Sequence, residues 1–329
     1  MQSIKWGIIG CGDVTELKSG PAFNKVPDSA LVAVMRRDAE KAASYASRHS
    51  VPMWYKDADL LINDPDVNAI YIATPPSTHH FYAMAAINAG KPVYLEKPMA
   101  LNATEAAEIA TFAENKNIRL SIAHYRREQP KFIKIKKLLG EGIIGDIRFC
   151  QLEFIRPSLS HEALHIEKTS WRVNPAVSGG GLFHDLAPHQ LDLMLYFFGD
   201  FIEASGYSLN QAGIYKADDI VSANIIFKSS VVFNGLWSFA AAPGMDADNC
   251  EIIGTKGKIS FSVFDNQTFN LTIGNKTEIF SFEPLLHVQL PMIRKVVAYF
   301  LDKAPNPCTA EVGEKVMQMI DAVTCKKST

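Results

Sequence analysis

The chain has 329 residues, of which 47% are hydrophobic and 21% are charged, and its formal net charge is −2 at pH 7. This length favours two domains, and this composition is typical of a globular protein. The near balance of charges leaves no large basic excess and argues against nucleic acid or anionic membranes as partners, and no apolar run approaches the roughly 20 residues that span a bilayer.

The cysteines are scattered along the chain, at Cys11, Cys150, Cys250, Cys308 and Cys325. Their number is odd and none belongs to a Cys-x-x-Cys pair, which argues against a disulfide framework and against a thiolate zinc site. Because the first predicted strand begins within the first few residues, we expect no signal peptide. These patterns predict a cytoplasmic protein.

Up to about residue 124, predicted strands alternate with predicted helices. The predicted strands are Lys5–Ile9, Ala30–Met35, Ala69–Ala73, Pro92–Leu95 and Arg119–Ala123. The predicted helices between them are Ala39–His49, His79–Asn88 and Thr104–Asn115. Short strands that alternate with helices are typical of a parallel sheet with right-handed crossovers. We therefore predict that residues 1–124 form a doubly wound α/β domain of the Rossmann type.

The pattern changes after Pro130, where a basic helix at Lys131–Leu139 is followed mainly by strands. The predicted strands are Ile147–Ile155, Glu203–Leu209, Ile220–Phe227, Val231–Phe239, Glu251–Ile253, Lys258–Val263 and Phe269–Ile273. Because turn-prone residues rather than helices connect most of these strands, the pattern predicts an open, mostly antiparallel sheet. We expect residues 125–329 to form a second, α+β domain for substrate binding and oligomerisation.

Three further helices are predicted in this second half, at His189–Phe198, Val288–Leu301 and Glu311–Val323. The first of them interrupts the series of strands and ends at Gly199, a residue typical of helix C-termini. The two C-terminal helices are candidates for packing back on the first domain.

The first predicted strand runs into Gly10-Cys11-Gly12-Asp13-Val14-Thr15. Gly10 and Gly12 allow the backbone to turn tightly and to approach a ligand, as at the start of a dinucleotide-binding βαβ unit. The third position of that fingerprint, usually Gly or Ala, is Thr15, so the match is imperfect. A simple turn from strand to helix is the alternative interpretation.

The residues after the second predicted strand bear on the choice of cofactor. In this fold an acidic residue there usually binds the adenosine ribose, but this chain has Arg36 and Arg37. A guanidinium at this place suits the 2′-phosphate of NADP, so we predict NADP in preference to NAD. In the alternative interpretation both arginines are surface charges and Asp38 does the work of the acid.

Two further segments follow strands at the edge of the sheet where open α/β sheets bind ligands. They are Ala73-Thr74-Pro75-Pro76-Ser77-Thr78-His79 and Glu96-Lys97-Pro98. With the glycine turn and the two arginines they make up the predicted cofactor-binding set. The set consists of Gly10, Gly12, Asp13, Val14, Arg36, Arg37, Thr74, Pro75, His79, Glu96 and Lys97.

The segment Gly179-Gly180-Gly181-Leu182-Phe183-His184-Asp185-Leu186-Ala187-Pro188-His189 lies in the predicted second domain. Asp185 and His189 are four residues apart, so a helix would place them on one face. Proline is tolerated best in the first helical turn, so Pro188 predicts a helix that begins close to Asp185, with His189 near the positive end of the helix dipole. The alternative interpretation is an ordinary helix cap with a neighbouring histidine.

With these motifs the chain resembles the glucose–fructose oxidoreductase / inositol dehydrogenase / MocA family of NAD(P)-dependent oxidoreductases over nearly its whole length. The matching residues are Ala89-Gly90-Lys91-Pro92-Val93 before Glu96-Lys97-Pro98, and the three glycines before Asp185, His189 and Gln190-Leu191-Asp192-Leu193. The resemblance implies a Rossmann domain followed by an open sheet often used for dimer or tetramer contacts. It also implies that Lys97, Asp185 and His189 take the family's catalytic positions. Thr15 and Arg36 depart from the family pattern.

The chemistry of these three side chains supports the same roles. An imidazole can move a proton near neutral pH, as hydride transfer to or from a carbonyl requires, so His189 is the predicted acid or base. Asp185 would orient the His189 ring, and Lys97 would direct a positive charge at the developing alkoxide. A lysine at a strand end is otherwise usually a solvated surface residue.

A substrate with many hydroxyl groups would need many hydrogen-bonding partners near these residues. The candidates are Tyr125, Arg126, His165, Trp171, Arg172 and His184. A network at a domain interface is the alternative for most of them, and packing is the alternative for His184. The pairs His79-His80 and His161-x-x-x-His165 have no third ligand at a fitting spacing, so we predict no metal site.

The sequence therefore predicts an NADP- or NAD-dependent oxidoreductase that interconverts a secondary alcohol and a ketone on a sugar, polyol or cyclic diol. We expect a small-molecule substrate, no nucleic-acid or membrane partner, and a homodimer or homotetramer formed through the second sheet, whose edges would otherwise stay exposed. Two alternatives remain: an NAD-dependent glycoside-cleaving enzyme that oxidises its substrate transiently, and a non-catalytic nucleotide-binding sensor.

Overall fold

The computed structural model describes residues 2–324, without the side chains at positions 167 and 168. The chain divides into two compact units, each with its own sheet. The first unit comprises Met1–Arg126 and Leu285–Met317, and the second comprises Arg127–Pro284 and Gln318–Thr329.

The sheet of the first unit is parallel throughout. Its strands are β1 (Ile4–Ile9), β2 (Ser29–Met35), β3 (Met53–Tyr55), β4 (Ala69–Ile72), β5 (Val93–Leu95) and β6 (Leu120–Ile122). They lie in the order β3-β2-β1-β4-β5-β6, and the predicted doubly wound parallel sheet is confirmed. Strands β4, β5 and β6 are buried at every position, as expected for a parallel sheet covered on both faces.

Short helices connect the successive strands of this sheet. They are α1 (Asp13–Leu17), α2 (Gly20–Phe23), α3 (Ala39–Arg48), α4 (Ala58–Ile62), α5 (His79–Asn88) and α6 (Ala103–Asn115). Strand β3 was not predicted, because its three residues are too few to show a periodic pattern.

The second unit contains an eight-stranded sheet in the order β14-β13-β12-β11-β7-β10-β9-β8. Its strands are β7 (Ile147–Pro157), β8 (Phe201–Leu209), β9 (Ile220–Phe227), β10 (Val232–Ala241), β11 (Ala247–Gly254), β12 (Gly257–Phe261), β13 (Thr268–Ile273) and β14 (Lys276–Ser281). Only the β7–β10 pair is parallel in the described sheet, so the prediction of a mostly antiparallel sheet is confirmed. Strand β14 was missed, because four of its six residues are polar or charged and exposed. The strand lies at the edge of the sheet.

Helices cover one face of this sheet and leave the other open. The helices before β8 are α7 (Pro130–Gly140), α8 (His161–His165), α9 (Glu167–Ser170), α10 (Pro175–Ser178) and α11 (Leu182–Phe198). Trp237 of β10 packs edge-on against Phe183 of α11 at 5.0 Å and donates a 2.6 Å hydrogen bond to Gln190 Oε1. These contacts fix α11 on the covered face.

The start of α11 corrects the sequence prediction. The helix begins at Leu182, after Gly181 with φ of 88°, so Pro188 lies in the helix interior and not in its first turn. Proline there removes one backbone hydrogen bond, which the long buried helix tolerates. His189 is consequently two turns into the helix, where the dipole has little effect, and the expectation that it lies near the positive end is wrong. Asp185 takes the first-turn position instead.

The C-terminal segment forms α12 (Leu290–Phe300) and α13 (Ala310–Thr324). Helix α12 belongs to the first unit, where Phe300 packs against Trp6 of β1 at 5.6 Å. Among the described helices, none combines the length and the apolar character of a membrane span. Cys11, Cys150, Cys250 and Cys308 are buried free thiols, and Cys325 lies outside the described residues.

Candidate active site

The glycine turn after β1 meets the loop after β4, at the point where the strand order reverses. Gly10 has φ of 93°, and a Cβ atom on it would lie 2.7 Å from Thr74 Cγ2 and 2.9 Å from the backbone of Ala73. No side chain fits there, which explains why this position is glycine. Gly12 differs, because a Cβ on it would meet only the Gly10 carbonyl oxygen, at 3.9 Å. The space beside Gly12 is therefore open at the place where such sheets bind ligands.

Thr15, the departure from the glycine fingerprint, is accommodated by hydrogen bonds. Its buried hydroxyl donates to the Gly12 carbonyl at 2.7 Å, and its own carbonyl accepts from the Tyr45 hydroxyl at 2.8 Å. A Cβ on Gly20 would lie 2.1 Å from that hydroxyl, so Gly20 takes over the close packing that a small third residue usually provides. Asp13 is exposed and Val14 half-buried at the start of α1.

Arg36 lies beside the glycine turn, with its guanidinium Nη1 3.4 Å from the Cys11 carbonyl oxygen. Arg37 is exposed. Asp38 caps α3, where its carboxylate accepts a 3.1 Å hydrogen bond from the Lys41 amide, and this bond lowers the pKa of Asp38. Of the two side chains that could bind the adenosine ribose, Arg36 thus lies beside the glycine turn, while the Asp38 carboxylate is engaged at the start of α3.

His79 connects the loop after β4 with the loop after β5. Its Nε2 lies 2.8 Å from the Thr74 carbonyl oxygen and its Nδ1 lies 2.9 Å from that of Pro98. The ring is 1% exposed, and burial lowers the pKa of His79 to about 4. A neutral imidazole has one N–H and so donates to only one of these two carbonyls, while the buried ring packs between the two loops that contain Thr74, Pro75 and Lys97.

The Glu96 carboxylate is buried within the first unit. One oxygen accepts 2.5 Å and 2.6 Å hydrogen bonds from Tyr71 and Gln289, and the other accepts a 3.2 Å bond from the Lys97 amide. Glu96 thus orders the backbone at Lys97, whose own side chain is half-buried. Gln289, from the start of the C-terminal segment, was not singled out in the sequence, and no local signal marks a residue 193 positions away from its partner.

Tyr125 and Arg126 follow β6 in the first unit. The Tyr125 ring is buried, and the Arg126 guanidinium lies 5.6 Å from the centre of that ring. This cation–π pair orders both side chains after the last strand of the sheet.

In the second unit, His189 is 5% exposed and projects from α11. The centre of its imidazole lies 5.7 Å from the centre of the Phe264 ring, at an interplanar angle of 75°. Phe264 belongs to the loop after β12, and nothing in its sequence surroundings pointed to this contact.

Asp185, Arg172 and Trp171 form one cluster in the same unit. The Asp185 carboxylate accepts a 2.9 Å hydrogen bond from Arg172 Nε, and the Arg172 guanidinium lies 4.3 Å from the centre of the Trp171 ring. The structure thus brings together one predicted catalytic residue and two predicted substrate residues. Both ion-pair partners are partly exposed, at 15% and 26%, so the pair remains within reach of a ligand.

His184 packs directly on the triple-glycine segment. A Cβ on Gly180 would lie 2.1 Å from the His184 ring, so only glycine allows this contact. Burial lowers the pKa of His184 to about 4, against smaller opposing effects from the Gly180 carbonyl and Asp218. These contacts are those of a packed side chain, and a substrate contact of His184 stays a prediction.

His165 is exposed at the end of α8, where its Nε2 lies 3.4 Å from His161 Nε2. Within residues 2–324, no group of three or more His, Cys, Asp or Glu side chains is placed to hold a metal ion.

Comparison with known proteins assigns the chain to a family. Residues 4–124 match a model described as an oxidoreductase family with an NAD-binding Rossmann fold, and residues 132–260 match a GFO/IDH/MocA C-terminal domain. The chain is 44% identical over 318 residues to oxidoreductase P35 of Formosa agariphila, with 97% of each chain covered. The chain therefore belongs to the glucose–fructose oxidoreductase / inositol dehydrogenase / MocA family, and the predicted resemblance and oxidoreductase class are confirmed.

Two more distant comparisons agree with this assignment. Trans-1,2-dihydrobenzene-1,2-diol dehydrogenase of Xenopus tropicalis is 28% identical over 264 residues, which are 78% of this chain and 74% of that protein. A structure of levoglucosan dehydrogenase in complex with NADH and levoglucosan superposes with a TM-score of 0.86 at 22% identity, covering 98% of this chain and 96% of that one. The structural likeness confirms the predicted fold class.

The two buried histidines predict that acid destabilises the fold. In the folded chain His79 and His184 have pKa values of about 4 against an ordinary 6.5, so the unfolded state binds protons that the native state does not. The free energy of unfolding is therefore highest above pH 6.5, where both histidines are neutral in both states, and it decreases as the pH falls towards 4. Each histidine should account for a loss of about 2 kcal/mol between pH 6.5 and pH 5.

Urea unfolding at pH 7 and pH 5 measures this loss. His79→Gln should reduce the difference between the two pH values by about 2 kcal/mol. His80→Gln, at the neighbouring and partly exposed position, is the control and should change the difference much less. An unaltered pH dependence in His79→Gln would contradict the assignment of a buried neutral imidazole.

Proposed function

We propose that this chain is an NADP-preferring oxidoreductase that interconverts a secondary alcohol and a ketone on a sugar, polyol or cyclic diol. The observation that carries the proposal is His189, a nearly buried imidazole on α11, in the same helix and one turn after the ion-paired Asp185. The names of the two more distant relatives, which specify a cyclic diol and levoglucosan as substrates, support this substrate class.

The nucleotide would bind at the open space beside Gly12, with Gly10, Asp13, Val14, Thr74 and Pro75 around it. The absence of a side chain at Gly12 leaves the room that a pyrophosphate needs, so the residues fit such a cofactor. When bound, the nicotinamide supplies or accepts the hydride. Arg36 is the residue we assign to the 2′-phosphate, because its guanidinium already lies beside the turn.

The protein's own groups handle the proton and the charge. His189 takes the proton from the substrate hydroxyl in oxidation and returns it in reduction. Lys97 stabilises the negative charge that develops on that oxygen, and Glu96 orders the Lys97 backbone. Asp185 and Arg172 form the ordered polar surface next to Trp171, which suits hydroxyl groups of the substrate.

His189→Asn tests the catalytic assignment. Because it removes the group that moves the proton, we expect kcat to fall about 10²- to 10⁴-fold, while the Kd for the nucleotide changes less than about 2-fold. Turnover is followed by the absorbance of the reduced nicotinamide with a panel of sugars, polyols and cyclic diols.

His80→Gln serves as the matched histidine variant and should retain full turnover. Unaltered kcat in His189→Asn would remove His189 from the mechanism. Cleavage of a glycoside without net reduction of the nicotinamide would instead support transient oxidation, and nucleotide binding without any turnover would support a sensor.

The cofactor preference is tested by binding alone. Arg36→Ala should weaken NADP⁺ about 10- to 100-fold and leave NAD⁺ nearly unchanged, because only the 2′-phosphate loses a charge-assisted hydrogen bond. Isothermal titration of both nucleotides measures this. Asp38→Asn is the comparison: selective loss of NAD⁺ affinity there, with no effect of Arg36→Ala, would show that the acid and not the cation binds the ribose.

The open face of the second sheet is the surface we assign to homo-oligomerisation. The strand register places the exposed side chains of Ile226, Val232 and Phe149 next to one another across β9, β10 and β7. The adjacent row carries Asn224, Asn234 and Gln151, followed by the side chain of Glu251. Each amide has both donors and an acceptor, so this face can hydrogen-bond to a second copy of itself about a two-fold axis.

Analytical ultracentrifugation of the double variant Ile226→Glu, Val232→Glu tests this surface. The unaltered chain should sediment as a dimer or tetramer, and the variant should sediment as a monomer, because charges would be buried in the contact. Ile133→Glu, at an exposed position on α7, should leave the assembly intact. A monomeric unaltered chain, or a variant that still assembles, would exclude this interface.

A further inference from the structure

Phe264 occupies a short loop that is held unusually firmly. The loop, Ser262 to Asn266, follows β12, and the half-buried Phe264 ring packs on two partners. It lies 5.7 Å from the His189 ring in an edge arrangement and 5.1 Å from the Phe154 ring of β7. The aromatic side chain therefore connects the sheet to the imidazole of α11.

The buried carboxylate of Asp248 accepts hydrogen bonds from the amides of this loop. Asp248 of β11, which is 7% exposed, accepts hydrogen bonds from the amides of Val263, Phe264 and Asp265 at 3.0, 2.5 and 3.1 Å. Three consecutive N–H groups that converge on one carboxylate leave the backbone at Phe264 little freedom.

The buried ammonium of Lys131 donates hydrogen bonds to carbonyls at the two ends of the same loop. Lys131 of α7, which is 2% exposed, donates to the carbonyls of Ser262 at 2.8 Å and Asn266 at 2.5 Å. Burying either charge without hydrogen bonds would be costly, and here both charges are satisfied largely by the backbone of five residues. The exposed end of the loop is bound as well, because Arg156 donates to Asp265 at 2.6 Å.

We propose that Phe264 is a positioning residue for His189, and that Asp248 and Lys131 hold it in place. The ring restricts the imidazole to one orientation and excludes water from the edge that it covers. This inference rests on the proposed function, in which His189 moves the proton, and proton transfer depends steeply on the orientation of the group that performs it.

The inference can be tested without substrate or nucleotide, through the accessibility of the imidazole. Diethyl pyrocarbonate acylates unprotonated histidine, and tandem mass spectrometry measures the rate at each position. Phe264→Leu should raise the rate at His189 about 3- to 10-fold, in line with the loss of one aromatic contact. Phe264→Tyr, which keeps the ring, should restore most of the protection, and Asp248→Asn should act in the same direction as Phe264→Leu.

Two controls separate positioning from general loosening. His184 is equally buried on the same helix, so its modification rate in Phe264→Leu should stay that of the unaltered chain. Phe280 of β14 stacks on Phe269 at 4.6 Å between ring centres. Phe280→Leu removes this aromatic ring and should leave His189 protected from modification. An unchanged rate at His189 in Phe264→Leu, or an equal rise at His184, would overturn the inference.

Kinetics then relate positioning to the proposed chemistry. Phe264→Leu should lower kcat about 3- to 10-fold and leave the KM for the nucleotide unchanged, because only the imidazole is disturbed. If His189→Asn retains turnover, the proposed function fails, and the modification rates still decide the positioning. If His189 proves essential but Phe264→Leu alters neither the modification rate nor kcat, the function stands and the positioning role is wrong.

Discussion

The close approach of two loops at the middle of the first sheet is the constraint on which the proposed nucleotide site depends. Gly10 lies so near Ala73 and Thr74 that no side chain fits between them, and this contact occurs where the strand order reverses. The turn after β1 and the loop after β4 are thereby locked together. His79 extends the same arrangement to the loop after β5, since its ring lies between the carbonyls of Thr74 and Pro98.

In both units a buried carboxylate bonded to backbone amides lies next to a side chain to which we assign a function. In the first unit the Glu96 carboxylate accepts from the Lys97 amide while Tyr71 and Gln289 hold it in place. In the second unit the Asp248 carboxylate accepts hydrogen bonds from the amides of Phe264 and its two neighbours. A buried carboxylate is stable only with its full set of donors, so these groups fix backbone geometry more strictly than apolar packing alone would.

Much of the fold could be predicted, because its elements carry local patterns. Buried parallel strands such as β4 are continuous apolar runs, and strands such as β9 alternate between buried and exposed residues. Elements that are too short or too polar to show such a pattern were missed, as with β3 and β14. The start of α11 was misplaced, because Pro188 indicates a first turn locally while the buried surroundings of this helix tolerate it in the interior. The division at residue 124 and the roles of Lys97, Asp185 and His189 stay predictions.

The sequence by itself determined the parallel, doubly wound class of the first sheet, the mostly antiparallel character of the second and the family, since these depend on periodicity and on short motifs that adjacent residues carry. Only the tertiary structure decided that Arg172 pairs with Asp185, that Gln289 reaches Glu96 and that Phe264 lies against His189. The physical reason is that such contacts join residues from distant parts of the chain. Their existence depends on how whole elements pack, which no local pattern records.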